Sequence, residues 1–308
     1  METANPFKTA RVVSKQTSPA DYRVQKGKRG DKDYVMSRSE ICEFDNCPSR
    51  WLAGYKSEGS ASSEWGDLID GMALLTVSQF DDLFAIAPLM YPCEPTKKDP
   101  RTEKPWNRNA TFCGDWEERQ DGKTVVTQKA YVEAAEAHGS LMRDTIADAL
   151  LATSEKQVYV LAEYHDRDTK LTVPVKALID LVPPVESAFG KCLMDFKTAR
   201  SAGRRAWRMA VFEYNYHVQA ALYLDAYTLA TGEDRCEFRH LIQENVFPWQ
   251  PGKRILSAEY LELGRLKYTQ ALRRYCQCLD TGEWPGYERG QQFDGFEMCE
   301  PEPYMLTR

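Results

Sequence analysis

No apolar run in the 308 residues is long enough to cross a bilayer, and the amino-terminal stretch lacks the apolar segment of a secretory leader. A soluble, cytoplasmic protein with no membrane partner is therefore expected. Excess positive charge is missing too: 40 Lys and Arg face 46 Asp and Glu, a formal net charge of -6. That balance argues against a general nucleic-acid coat, but a local basic face beside an acidic site is compatible with it. Histidine is scarce, and His138, His165, His217 and His240 show no metal-ligand spacing. His217 reads as a packing residue. The nine cysteines are odd in number and irregularly spaced, so reduced, mostly buried thiols are expected rather than a disulfide scaffold. An iron–sulfur cluster would have to draw on Cys42, Cys47, Cys276, Cys278 and Cys299. Cys276 and Cys278 stand two apart on an expected helix, pointing to different faces, and no C-x2-C-x2-C run occurs. A cluster is not expected.

What is present is a core. Hydrophobic residues make up 43% of the chain. Residues 1–35 are polar and aperiodic and read as a flexible arm, with Lys26-Gly27-Lys28-Arg29 a solvated basic patch; residues 36–308 read as one domain. Ser37-Arg38-Ser39-Glu40 fits a capping box that opens a helix through Cys42 and Phe44, redirected at Cys47-Pro48. A helix over 64–75 places Trp65, Leu68, Ile69, Met72 and Leu75 on one side, interrupted by Asp67, Asp70 and Gly71. Residues 92–125 form a long polar excursion punctuated by prolines. A helix follows over 127–154, then strands over 157–163, 171–182 and 191–198. A helical stretch over 204–230 ends at Gly232, a strand spans 238–247, and a last helix over 257–280 ends at Gly282. This order predicts an α/β fold, a mixed central sheet with a crossover helix, flanked by the amino-terminal helices.

Two of these strands carry chemistry. Val175 to Val182 carries Ile179-Asp180 near its end, and Cys192 to Thr198 contains Asp195-Phe196-Lys197. Paired side by side, they bring Asp180 and Asp195 to one rim, and Lys197 shares the face of Asp195 because side chains at i and i+2 point the same way. Two carboxylates and an amine converging there suit a hard divalent cation and an activated water. The plain alternative is a D-x-K salt bridge on a strand surface.

The order Asp180, then Asp195-Phe196-Lys197, then a helix carrying Gln219-Ala220-Ala221-Leu222-Tyr223, resembles the PD-(D/E)XK nuclease superfamily. Within it, the chain looks like the branch of RecB-type nuclease domains and exonuclease VIII (RecE). Ile179 stands in place of the proline in the superfamily's name. The segment 37–51 looks like that branch's first helix, and Trp65 to Asp70 like its G-x-x-x-H segment. Tyr214-Asn215-Tyr216-His217-Val218-Gln219 matches its Y-G-Y-H-x-Q run, and 279–287 its closing segment, so the likeness runs through nearly all of the chain from residue 37.

The resemblance implies a restriction-endonuclease-like fold and metal-dependent hydrolysis of DNA phosphodiesters. Mg2+ or Mn2+ would bind Asp180 and Asp195, with Lys197 orienting water or neutralising developing charge. Asp70 stands where the resembling pattern has histidine and is expected as a further metal ligand; a shifted alignment would give Asp67, and the bland alternative is a helix-surface charge. Gln219 and Tyr223, one turn apart, would border the active site, although Tyr223 reads equally as a packing residue. Arg200, Arg204 and Arg208 fall at i, i+4 and i+8 and form a candidate DNA-binding face, or an ordinary solvated one. Glu163 reads as a solvated strand end. By the same resemblance, the expected activity is exonucleolytic digestion of one strand from duplex DNA ends. The implied partners are a single-strand annealing protein of phage recombination and further copies in a homo-oligomeric ring. Two alternatives stay open: a structure- or sequence-specific endonuclease, and a catalytically inactive DNA-binding or recombination scaffold.

Overall fold

The computed structural model describes residues 5–24, 27–55, 61–287, 292–293 and 296–297; Lys26, Cys299 and most of the carboxy-terminal tail lie outside the described residues. Its central sheet has seven strands: β1 (Phe7–Ser14), β2 (Met36–Ser37), β3 (Glu155–His165), β4 (Thr172–Val182), β5 (Cys192–Ala199), β6 (Glu237–Glu244) and β7 (Pro251–Ile255). The spatial order is β1-β3-β4-β5-β6-β7, with β2 alongside β4. Pairs β5–β6 and β2–β4 are parallel and the others antiparallel, so the expected mixed sheet is present. The helices that bear on the site are α1 (Pro19–Arg23), α2 (Arg38–Asn46), α3 (Ala61–Leu74), α4 (Gln128–Met142), α5 (Thr145–Thr153), α6 (Arg204–Glu213), α7 (Tyr216–Thr231) and α8 (Ala258–Thr281).

Two apolar clusters pack against the sheet. The larger joins α2, α7 and α8 to Val158, Val160, Val175 and Ile179 of β3 and β4. The smaller packs α3, α4 and α5 on Leu181, Met194, Phe196 and Leu241. Helix α8 presses on α7 so closely that a methyl at Gly264 would sit 2.0 Å from the His217 carbonyl oxygen. The expected capping box forms at Ser37 and Glu40 and fixes the start of α2. The first helices meet the closing segment through a ring cluster of Phe44, Trp51, Tyr275 and Trp284.

Four expectations change. Residues 7–14, read from sequence as part of a flexible arm, are the edge strand of the sheet, paired antiparallel with β3. An edge strand keeps polar Lys8, Thr9 and Arg11 in solvent, so it carries little apolar alternation; its anchor is Phe7, stacked on Tyr268 at 5.7 Å. The excursion over 92–125 holds structure of its own, with Met90–Pro92 paired to Glu103–Pro105 and a helix over Thr111–Glu118. The helix over 127–154 divides at Arg143, where Asp144 caps α5 by accepting from the Ile146 and Ala147 amides. The stretch over 204–230 divides as well. Asn215 has φ +53°, a left-handed turn that stops α6 and redirects the chain into α7. This is the position where the Y-G-Y-H-x-Q pattern has glycine, and Asn is the side chain that best tolerates that conformation after glycine.

Phe7→Ala is expected to lower stability by about 3 kcal/mol, as for a buried phenyl ring. A urea midpoint unchanged from the parent would show that the strand is not part of the cooperative fold.

Candidate active site

The edge of β4 opposite β3 is shared by two strands. β2 pairs with its first half through Met36–Val175 and Ser37–Lys176, and β5 joins it near its end at Leu181–Met194. Between these contacts the two neighbours diverge. Lys176, Leu178 and Asp180, which alternation puts on one face of β4, open there onto a cleft of about 770 Å³. Arg38 of α2, Asp70 of α3, Asp195 and Lys197 of β5, and Gln219 and Tyr223 of α7 complete its walls.

Where β4 and β5 splay apart, a side chain replaces the ladder. Asp180 Oδ2 accepts from the Phe196 backbone N–H at 2.9 Å, and its Oδ1 accepts from Gln157 Nε2 at 3.0 Å. Asp195 is buried; its Oδ1 accepts from Gln219 Nε2 at 2.6 Å, and its Oδ2 lies 2.5 Å from Lys197 Nζ. His240, in register with Asp195 on β6, brings Nε2 to 4.0 Å from the same oxygen. Burial pushes that imidazole down to about 4, so it stands there neutral.

The two carboxyls on β4 and β5 are pushed in opposite directions. Burial, then the negative charge of Asp195, raise Asp180 well above the usual carboxylate range. Burial acts upward on Asp195 as well, but the Lys197 ammonium beside it outweighs burial and holds that carboxyl below its ordinary value. Lys197 is the converse: burial opposes its charge, and Asp195 and Asp180 outweigh burial and keep it an ammonium.

Asp70 completes the set. Burial pushes its carboxyl up to about 7, Lys197 opposing and Asp195 adding to the rise. Its Oδ1 is buried without a hydrogen-bond partner. Gly66 explains how α3 delivers it: a methyl there would lie 2.8 Å from Thr198 Oγ1, so the missing side chain lets the helix rest on β5, with Asp70 one turn on. Asp67 is exposed and does not line this cleft. An orphaned carboxylate oxygen in a residue that shares a cleft with two more carboxyls is donor chemistry that fits a hard cation. Among the described residues, no three His, Cys, Asp or Glu side chains close into a finished cage. A partial oxygen set completed by waters and phosphate oxygens is what Mg2+ favours.

The remaining expected residues are placed as follows. Gln219 and Tyr223 both line the cleft, and burial pushes the Tyr223 phenol up to about 12, leaving it a protonated donor. Arg200, Arg204 and Arg208 are exposed and none borders the cleft; Arg200 precedes α6 and Arg204 opens it, so they do not form one helical stripe. Glu163 accepts from Thr9 on the edge strand. His217 Nδ1 is 3.1 Å from the Val211 carbonyl, a packing role. Four side chains of the site went unread in the sequence: Gln157, Lys176, Arg38 and His240. Arg38 donates to Gln219 Oε1 at 3.3 Å and to the Tyr214 carbonyl at 3.2 Å. Its place inside the capping box was the one available signal, since that box fixes where α2 begins.

A seven-stranded mixed sheet with Asp180, Asp195 and Lys197 at its fork, and a glutamine reaching them from the next helix, is the architecture of the PD-(D/E)XK class. The model of the PDDEXK-like domain of unknown function (DUF3799) matches residues 37–294, and the chain belongs to that family. A search of the curated proteins finds no match. Among solved structures, a Eubacterium rectale protein described as a candidate exonuclease is similar over 95% of this chain and 98% of its own. At 16% identity and a TM-score of 0.56, that likeness is one of fold.

Lys197→Met should leave the buried carboxyls without their balancing charge. A loss of about 3 kcal/mol in metal-free buffer is expected, read from the urea midpoint, with partial recovery in millimolar Mg2+. A variant as stable as the parent would show that the ammonium does not hold this cluster together.

Proposed function

We propose that the protein is a metal-dependent deoxyribonuclease that degrades one strand from the ends of duplex DNA. The observation that carries this reading is the meeting of Asp70, Asp180, Asp195 and Lys197 in one cleft, in a chain of the PDDEXK-like family. Asp70, Asp180 and Asp195 would hold Mg2+ or Mn2+. Such a cation supplies positive charge against the phosphodiester and acidifies nearby water.

The chain's own residues do the rest. Gln157 and the Phe196 N–H fix Asp180, and Gln219 fixes Asp195, so neither carboxylate has to reorganise when phosphate arrives. Lys197, kept cationic by its neighbours, donates to the attacking water or to the phosphoryl oxygens on which negative charge grows. Tyr223 and Arg38 offer further donors from the cleft wall. Digestion from an end leaves a single strand, and the natural consumer of that product is a strand-annealing protein. A ring of copies around the duplex would keep the enzyme on its track; both associations belong to this proposal.

The test pairs end-labelled linear duplex with covalently closed circles, in Mg2+ and in EDTA. Nucleotides should be released from the linear DNA in Mg2+ only, the circles should survive, and Asp195→Asn should lower the rate at least about a thousandfold. Undiminished cleavage by Asp195→Asn would refute the assignment. Nicked circles would mean an endonuclease, and binding without cleavage a scaffold.

A further inference from the structure

Helix α6 has two unlike faces. Trp207 and Val211, one turn apart, are buried. Arg205, Arg208, Met209 and Phe212 fall at i, i+3, i+4 and i+7, on the opposite face, and all four are exposed. Met209 is 52% exposed, Phe212 54%, and Tyr214, just beyond the helix, 53%. A single exposed apolar side chain needs no explanation. Three within six positions, interleaved with arginine, make a patch.

The patch is continuous with the candidate active site. The Tyr214 ring lies 5.7 Å from that of Tyr216, and the Lys197 ammonium lies 5.6 Å from the Tyr216 ring centre. Arg38, a wall of the cleft, holds the Tyr214 carbonyl with one nitrogen and Gln219 with another. On the far side of the patch, Lys267 stands 4.7 Å over the Phe212 ring. The left-handed turn at Asn215 is what swings Tyr214 outward while Tyr216 turns in toward Lys197.

We propose that the outer face of α6, together with Tyr214, is a binding platform for single-stranded DNA at the rim of the cleft. Unpaired bases stack on Tyr214, while Phe212 and Met209 line the apolar floor beside it, and Arg205 and Arg208 take the flanking phosphates. The proposal rests on the nuclease reading for its substrate. Charge selects the occupant: the whole chain carries -6, yet residues 204–214 present Arg204, Arg205 and Arg208 against one acid, Glu213, and Lys267 adjoins them over the Phe212 ring. Ring geometry selects its form. Bases inside a duplex are already stacked on one another, so exposed rings beside a phosphodiesterase cleft favour the strand that has lost its partner. Every base has a flat face, so the platform is indifferent to sequence.

The test uses the full chain in EDTA, where cleavage is suppressed, with fluorescein-labelled oligothymidylate read by anisotropy. Tyr214→Ala is expected to weaken binding about tenfold and Tyr214→Phe about twofold or less, because the ring rather than the hydroxyl carries the contact. An abasic strand of equal length should bind the parent chain about as weakly as the ordinary strand binds Tyr214→Ala. Replacing Arg205 and Arg208 by Ala should flatten the slope of log affinity against log salt by about 1.4, for two phosphates of a single strand. Equal affinities for Tyr214→Ala and the parent, or for the abasic and normal strands, would overturn the platform. So would Met209→Asp changing the sedimentation of the chain while leaving DNA affinity alone, the mark of a surface used between copies. The two readings fail separately. A flat stacking series beside Asp195-dependent cleavage removes the platform alone, whereas the full stacking series from a chain that cleaves nothing in Mg2+ removes the nuclease and leaves a strand-binding surface.

Discussion

Carboxyl groups from three elements crowd one ammonium, and that crowding constrains everything around it. Removing an ion from water costs several kcal/mol even after relaxation. Asp70, Asp180 and Asp195 could not all keep negative charge in this pocket without an opposing one. Lys197 provides it at 2.5 Å from Asp195, and burial together with the Asp195 charge raises the Asp180 carboxyl well above its ordinary range. Gln157, Gln219 and the Phe196 amide then tie down carboxylate oxygens that water would otherwise solvate. The cluster is assembled under electrostatic tension, which a divalent cation would relieve.

The fork in the sheet makes room for that tension. Had β5 stayed zipped to β4, the Phe196 amide would have met a backbone carbonyl and Asp180 would have had no reason to turn toward it. Splaying the strands hands that donor to a carboxylate and opens the cleft in one step. Gly66 lets α3 close the opposite side, which is how Asp70 comes to stand beside groups more than a hundred positions further on in the chain. An aspartate in the place where the resembling pattern has histidine leaves the acid cluster all oxygen, and a cation bound there under the proposed function would be a hard one such as Mg2+ or Mn2+. His240 sits behind Asp195 as a neutral dipole in contact with Trp207, linking the acid cluster to the buried side of α6.

The α6–α7 junction shows how one backbone conformation sets the surroundings of the candidate site. Without the left-handed residue at 215, the helical period would run on from Arg204 and place Tyr214 and Tyr216 on different faces of one rod. Broken there, the chain presents one tyrosine to solvent and brings the next against Lys197. The arginines read as a single stripe in the sequence are divided by the start of α6 at Arg204. Arg200 belongs to the end of the strand connection, while Arg205 and Arg208 share a face with exposed rings.

Period and order were legible in the residues themselves. Alternation put Asp195 and Lys197 on one face, helical spacing paired Gln219 with Tyr223, glycines marked the ends of α7 and α8, and the run of motifs indicated the fold and the candidate pair Asp180 and Asp195. These are properties of short segments, and a segment's covalent geometry dictates them before any packing occurs. The edge strand β1, the closure of 92–125 on itself, and the roles of Gln157, Lys176, Arg38 and His240 were decided elsewhere. Each depends on which distant element supplies a partner for a polar group, and backbone donors, buried charges and exposed rings acquire partners only when the chain has folded over them.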